Sequence, residues 1–127
     1  MLEFYDQKDG SGLASIYERH ISFNTKLLKY FNNCYKVRVG IDTDEKKIYV
    51  FIYDMDSSVS GEIPESSLLS VQVSKSYVRI SSKQLVEYIS EKFNLSIPKK
   101  EFLQYKANYN DSKKAIIIDM GGKCWWL

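Results

Sequence analysis

Two stretches of this sequence, residues 14–53 and 71–119, match each other in the order and physical character of their residues. Residues 14–26 align on residues 71–83 without a gap, and residues 39–52 align on residues 107–119 if Glu45 is an extra residue. Two short units that would be unstable alone can share one core. The repeat therefore constrains the fold more than any other feature of the chain.

Each copy predicts the same series of elements, namely a strand, a short helix and a β-hairpin. Apolar residues two apart end the first strand (Ile21 and Phe23), as expected when one strand face packs in a core. Asn24 and, in the second copy, Ser81 follow directly and are predicted helix N-caps. The helices are predicted at residues 25–31 and 82–93, where the second has apolar residues at helical spacing. Residues 48–53 are almost wholly apolar, which predicts a central strand.

These elements predict an α+β protein with one compact domain over residues 1–127. Residues 54–70 form an acidic, serine-rich connector between the two units. Apolar runs are too short for a membrane span, and the first residues do not resemble a signal peptide, so we expect a cytoplasmic protein without membrane contact. Cys34, Cys124 and His20 do not form a common zinc-binding pattern, and titratable residues do not form a catalytic set. We therefore expect no metal, no cofactor and no enzymatic activity.

The net charge of +2 is small, but the charge is unevenly distributed. Residues 14–53 contain seven Lys and Arg against four Asp and Glu, and residues 71–119 contain nine against five. The connector contains four acidic residues and no basic ones. Basic repeats permit an anionic partner without requiring one, and a solvated basic surface without a ligand is the simpler interpretation of this distribution.

Residues 19–28 (RHISFNTKLL) resemble the R-x-I-x-I-P-x-x-L motif of the AbrB/MazE/SpoVT-type swapped-hairpin proteins. Arg19, Ile21, Phe23 and Leu27 fit this motif, whereas Asn24 stands in place of the usual proline. The second copy is more degenerate, with serine at both the arginine and the proline positions. Members of this family are usually homodimers that interleave their hairpins. The resemblance therefore implies that two tandem units pack as an intrachain pseudo-dimer around a small β-barrel-like core with short helices.

The resemblance also implies a function, because members commonly bind DNA through basic residues on the strands and before the helix, and some are antitoxins. We therefore predict a non-enzymatic DNA-binding module, either a transcription regulator or an antitoxin-like protein, that is a monomer or a homodimer. Its partner would be double-stranded DNA, whose phosphates and guanine edges attract basic side chains. The predicted DNA-binding residues are Arg19, Lys26, Arg38, Lys75, Arg79 and Lys83.

The alternative function is a protein–protein interaction module, encoded by a phage or mobile element, that does not bind nucleic acid. Trp125 and Trp126 near the end of the sequence are its predicted partner-binding residues, because tryptophan is frequent at interface hot spots. The simpler interpretation of these two tryptophans is that they seal one edge of the core. The two functions differ in surface charge, since DNA binding requires the basic residues to converge on one face.

Overall fold

The structure of the protein is a computed structural model that describes residues 12–55 and 65–121. Within these ranges the chain forms nine strands, an α-helix and two 3₁₀ segments. The strands are β1 (Gly12–Ile16), β2 (His20–Phe23), β3 (Lys36–Asp42), β4 (Lys47–Tyr53), β5 (Leu68–Leu69), β6 (Gln72–Val73), β7 (Val78–Ser81), β8 (Leu103–Asn110) and β9 (Ala115–Asp119). The helical elements are a 3₁₀ helix (Thr25–Phe31), a short 3₁₀ turn (Glu65–Ser67) and the α-helix α1 (Lys83–Phe93).

The nine strands form a single antiparallel sheet in the order β5-β3-β4-β9-β8-β1-β2-β7-β6. The sheet curls into a half-barrel that is accompanied by the two short helices, which confirms the predicted small α+β fold. Strand β4 lies between β3 and β9, as its apolar sequence predicted for a central strand. No helix in the described part of the chain is long and apolar enough to cross a membrane.

The core lies between one face of the sheet and the two helices. Alternate residues of the strands enter it, including Ile21 and Phe23 on β2, which are fully buried. The 3₁₀ helix contributes Leu27 and Phe31, and the Phe31 ring lies 5.7 Å from the Phe23 ring between centroids. Helix α1 contributes Val86 and Ile89 in the same way. The predicted alternation of apolar residues therefore identifies the buried face of these elements correctly.

Each copy begins with a β-hairpin, whereas the sequence predicted one extended stretch with a break near Glu18 in the first copy and a bend at residues 74–76 in the second. In the first copy, the Tyr17 amide donates to the His20 carbonyl at 2.8 Å across the turn between β1 and β2. In the second copy, the Ser74 amide donates to the Tyr77 carbonyl at 2.9 Å between β6 and β7. Only a few residues separate β1 from β2 and β6 from β7, and in both places this short turn reverses the chain.

The second hairpins, β3–β4 and β8–β9, correspond residue by residue and need no gap at Glu45. Both have four-residue turns, and in both a side-chain oxygen of the preceding residue (Asp42 or Asn110) accepts from the third turn amide at 3.0 Å. The last turn residue, Lys46 or Lys114, has a positive φ in both. The prediction that Glu45 is an extra residue is therefore wrong. It came from aligning the lysine pairs of the two copies in sequence, whereas the turn geometry fixes the register of the two hairpins.

Carbonyl oxygens of the two turns also make equivalent contacts across the pair β4–β9. The Lys46 carbonyl accepts from the Met120 amide at 2.8 Å, and the Lys114 carbonyl accepts from the Ile52 amide at 3.2 Å. The β4–β9 ladder pairs Lys47 with Asp119 at one end and Phe51 with Ala115 at the other. The two hairpins therefore meet with nearly equivalent contacts at both ends of their shared ladder.

The two predicted N-caps differ from the observed ones. Helix α1 is capped by Ser82, whose hydroxyl oxygen accepts from the Leu85 amide at 3.2 Å, whereas Ser81 is the last residue of β7. Asn24 stands at the cap position of the 3₁₀ helix but makes no side-chain cap bond. Its Oδ1 atom accepts from the Leu13 amide at 3.1 Å instead, so this side chain ties the start of the helix to β1.

Replacing Ser82 with alanine should lower the free energy of unfolding by about 1 kcal/mol, because an amide in the first turn of α1 loses its acceptor. The matched change Ser81→Ala affects an exposed side chain that does not cap α1, and should alter stability by less than about 0.5 kcal/mol. Urea denaturation followed by circular dichroism measures both values. A larger loss from Ser81→Ala than from Ser82→Ala would contradict the observed cap.

Candidate nucleic-acid interface

The outward face of the sheet carries a row of polar residues across the five strands β8, β1, β2, β7 and β6. Directly opposed residues in antiparallel strands lie on the same face. The register aligns, in that strand order, Gln104, Ser15, Ser22, Arg79 and Gln72. The Gln104 amide nitrogen also donates to the Ser15 hydroxyl at 3.2 Å. Small hydroxyl side chains in the middle of this row let a ligand approach the sheet closely.

Arg79 is the only charged residue of this polar row. Its guanidinium carbon lies 4.8 Å from the centroid of the Tyr77 ring, a cation–π arrangement that orients the side chain. The Arg79 Nε atom is buried and has no hydrogen-bond partner among the described residues. Burial lowers the pKa of His20 on the neighbouring strand, and the positive charge of Arg79 lowers it further. At neutral pH the positive charge here is therefore held mainly by Arg79.

The antiparallel pair β2–β7 brings four other predicted residues to its two ends. Arg19 precedes His20, which pairs with Ser81 near Lys83, so Arg19 and Lys83 lie at one end. Lys26 follows Phe23, which pairs with Val78 shortly after Lys75, so these two lysines lie at the other end. All four side chains are exposed. Lys26 and Lys83 belong to the first turns of the two helices, which pack on the core side of the sheet, so they flank the strand pair at its ends. We call the outward side of β2 and β7, with Arg79 in its middle and these four flanking residues, the β2–β7 face.

Arg38 is the predicted residue that the sheet separates from the others. It lies exposed on β3, five strand positions from β2 in the sheet order. At about 4.8 Å between neighbouring strands, this separation is roughly 24 Å measured along the sheet. Arg38 therefore does not belong to the β2–β7 face.

Two lysines that the sequence analysis did not select lie beside Arg19. A Glu18 carboxylate oxygen accepts from the Lys100 amide at 3.2 Å, which holds the loop before β8 against the turn between β1 and β2. Lys99 and Lys100 line an open depression of about 330 Å³ together with Arg19 and two acidic residues, Glu18 and Glu101. The adjacent lysines at positions 99 and 100 were visible in the sequence, but only this long-range contact places them at the site.

Other residues that the sequence offers for chemistry or for metal binding lie away from this face. Burial raises the pKa of the Cys34 thiol to about 11, so this residue is a protonated thiol at neutral pH. Asp42 accepts a hydrogen bond within its own turn. The described ranges contain no group of three or more His, Cys, Asp or Glu residues that could hold a metal ion. Trp125 and Trp126, the predicted partner-binding residues, lie outside the residues that the structure describes.

We found no match to this chain among protein-family models, curated proteins or solved structures. Its function is therefore inferred from the charges and geometry of the chain itself.

Proposed function

We propose that this protein binds double-stranded DNA through the β2–β7 face, as a transcription regulator or an antitoxin-like module without enzymatic activity. One observation carries the proposal, namely the antiparallel register of β2 and β7. It puts Arg19 and Lys83 at one end of the strand pair, Lys26 and Lys75 at the other, and Arg79 in the middle. Basic side chains at two ends of a polar surface can neutralise phosphates on both sides of a groove.

The dimensions of this face suit the major groove. A four-residue strand pair is roughly 13 Å long, and the major groove of B-DNA is about 12 Å wide. Ser22 and Arg79, opposed in the middle of the pair, provide a hydroxyl and a guanidinium that can donate to base edges. Strands are used for DNA recognition in several protein classes, so a helix is not required in the groove.

We further propose that the two halves arose as tandem copies that pack as a pseudo-dimer, in the manner of the swapped-hairpin proteins. Both copies have the same series of hairpin, helix and hairpin. The turn contacts of Tyr17 with His20 and of Ser74 with Tyr77 support this proposal, because both pairs have the same spacing and hydrogen bond. The copies differ at Ser22 and Arg79, so the two halves of a bound DNA site would be read differently.

Fluorescence anisotropy with a labelled random duplex tests DNA binding. We expect binding at 50 mM salt that weakens steeply towards 200 mM, because phosphate contacts release counterions. The double variant Arg19→Ala/Arg79→Ala should weaken duplex binding at least about tenfold, since it removes two cations from the face. Lys92→Ala/Lys113→Ala is the matched control, because it removes the same charge from exposed positions outside the β2–β7 face.

Equal losses from the two double variants would contradict a specific role of the β2–β7 face, since only net charge would then matter. A complete lack of duplex binding at low salt would eliminate the DNA-binding function. The protein–protein alternative would then be tested at Trp125 and Trp126.

A further inference from the structure

A second surface, on the outward side of the other half of the sheet, is aromatic and apolar. Tyr49 and Phe51 on β4 and Ile117 on β9 are half-buried and do not belong to the core cluster. Their strand neighbours Ile48 and Val50 are fully buried in the core, so the alternation of the strand turns Tyr49 and Phe51 outwards. We call this surface the aromatic face.

The register arranges the aromatic face in two rows across β3, β4, β9 and β8. The first row is Gly40, Tyr49, Ile117 and Asn108, and the second is Arg38, Phe51, Ala115 and Asn110. The Tyr49 and Phe51 rings are nearly parallel, with an interplanar angle of 14° and centroids 6.0 Å apart. Gly40 beside Tyr49 leaves space over the sheet, whereas Ala115 beside Phe51 is fully buried. The two rings stack on one another and form one aromatic patch, which we call the platform.

Charged residues border this platform unevenly. At one end, the register places Lys47 between two carboxylates, Asp42 and Asp119, so this end is net negative. At the other end, Arg38 is opposed by Phe51 and Leu68, and Lys36 is opposed by Tyr53. Lys36 Nζ also donates to the Ser70 hydroxyl at 2.7 Å, and the exposed Asp54 follows Tyr53. With two basic residues against one acidic residue, the end of the platform near Phe51 is net positive, and an anionic ligand would complement it.

We propose that the aromatic face binds single-stranded nucleic acid, with unpaired bases stacked on Tyr49 and Phe51 and phosphates held by Arg38 and Lys36. Every base has a π-face, so unpaired bases of any sequence can stack on aromatic side chains. Basic residues beside these side chains bind the phosphates of the nucleic-acid backbone. In a duplex the base faces are covered by their neighbours, so this platform suits unpaired bases only. The exposed Asn108 amide, beside Ile117, can donate to and accept from a base edge.

This proposal gives Arg38 a function that the β2–β7 face does not give it. It is independent of the proposed duplex binding, because the aromatic face uses β3, β4, β9 and β8, and the β2–β7 face uses none of these strands. A chain with both surfaces would hold a duplex and an adjoining unpaired strand at the same time.

The test is fluorescence anisotropy with labelled 15-nucleotide oligo(dT) and oligo(rU), which separate single-stranded DNA from RNA as the source of the bases. We expect binding of at least one of them, and a loss of roughly 30-fold in the double variant Tyr49→Ala/Phe51→Ala. Tyr88→Ala is the control, because this ring is 50% exposed but lies on α1. The variant Arg19→Ala/Arg79→Ala should leave single-strand binding unchanged while it weakens duplex binding, so the two proposals fail separately.

Two single variants keep the test decisive if the double variant unfolds. Phe51→Leu retains apolar volume but lacks a ring, and should weaken binding, whereas Phe51→Trp should retain or strengthen it. No binding of either oligonucleotide, or equal binding by Phe51→Leu and Phe51→Trp, would overturn the proposal. Concentration-dependent dimerisation in light scattering that Tyr49→Ala/Phe51→Ala abolishes would also overturn it, because a second copy would then cover this face.

Discussion

Replacing Phe23 with alanine should lower the free energy of unfolding by about 3–5 kcal/mol, which is a large part of the stability of a small domain. Phe23 is fully buried on β2, between β1 and β7 in the sheet, and its ring lies 5.7 Å from that of Phe31. Its removal leaves a cavity where the sheet meets the 3₁₀ helix. Neighbouring side chains cannot fill this cavity without moving a strand or the helix.

Phe51→Ala is the matched control for Phe23→Ala, because it removes the same ring from the outward face of a strand. We expect it to cost only about 1 kcal/mol, since Phe51 is half-buried and lies outside the core cluster. Urea denaturation followed by circular dichroism measures both changes. A similar loss from the two variants would show that the outward face is as well covered as the core, and would also argue against an aromatic face that is free to bind bases.

The buried face of this protein was predictable because it is encoded locally. Ile21 and Phe23, two residues apart, point to the same side of β2 whatever that strand pairs with. The apolar residues of α1 recur at helical spacing, which identified Val86 and Ile89 as core residues. The repeat also predicted a helix followed by a hairpin in each half, which the structure has, but it did not predict the hairpin that opens each half.

The pairing of strands was not predictable in the same way, because it depends on contacts between distant residues. Nothing near Gly12 in the sequence indicates that β1 pairs with β8 beyond residue 102. The cap of α1 was misplaced by one residue because Ser81 and Ser82 are both good N-cap residues. The choice between them depends on where β7 ends, and its pairing with β2 extends to Ser81.

The candidate site was predictable in its residue types and only partly in its arrangement. Basic residues near the helix starts were selected from the sequence, but the separation of Arg38 follows from the strand order. Lys99 joins the site through a hydrogen bond from Lys100 to Glu18, which no local pattern indicates. The aromatic face could not be predicted from the sequence, because β4 is apolar on both sides. Its sequence predicts a central strand but does not distinguish Phe51 from a core residue.

Replacing Gly12 with alanine should lower the free energy of unfolding by about 2–3 kcal/mol, because the added Cβ atom has no space. It would lie 2.5 Å from the Ala107 carbonyl oxygen and 2.5 Å from Leu27 Cγ. The Ala107 oxygen is part of β8, directly opposite Gly12 in the β1–β8 ladder, so it cannot withdraw without disturbing the pairing. The Leu27 side chain is buried in the core and has little freedom to move.

Gly40→Ala provides the control, since both glycines lie in strands and neither requires a positive φ. A Cβ atom on Gly40 would lie 3.6 Å from the Phe51 ring, which is an ordinary contact. We expect this variant to keep its stability or to gain up to about 1 kcal/mol, because glycine weakens a strand interior. Thermal melting should therefore separate the two variants by roughly 10 °C. Equal melting temperatures would show that β1 does not approach β8 and the 3₁₀ helix as closely as the structure indicates, and that Gly12 is an ordinary strand residue.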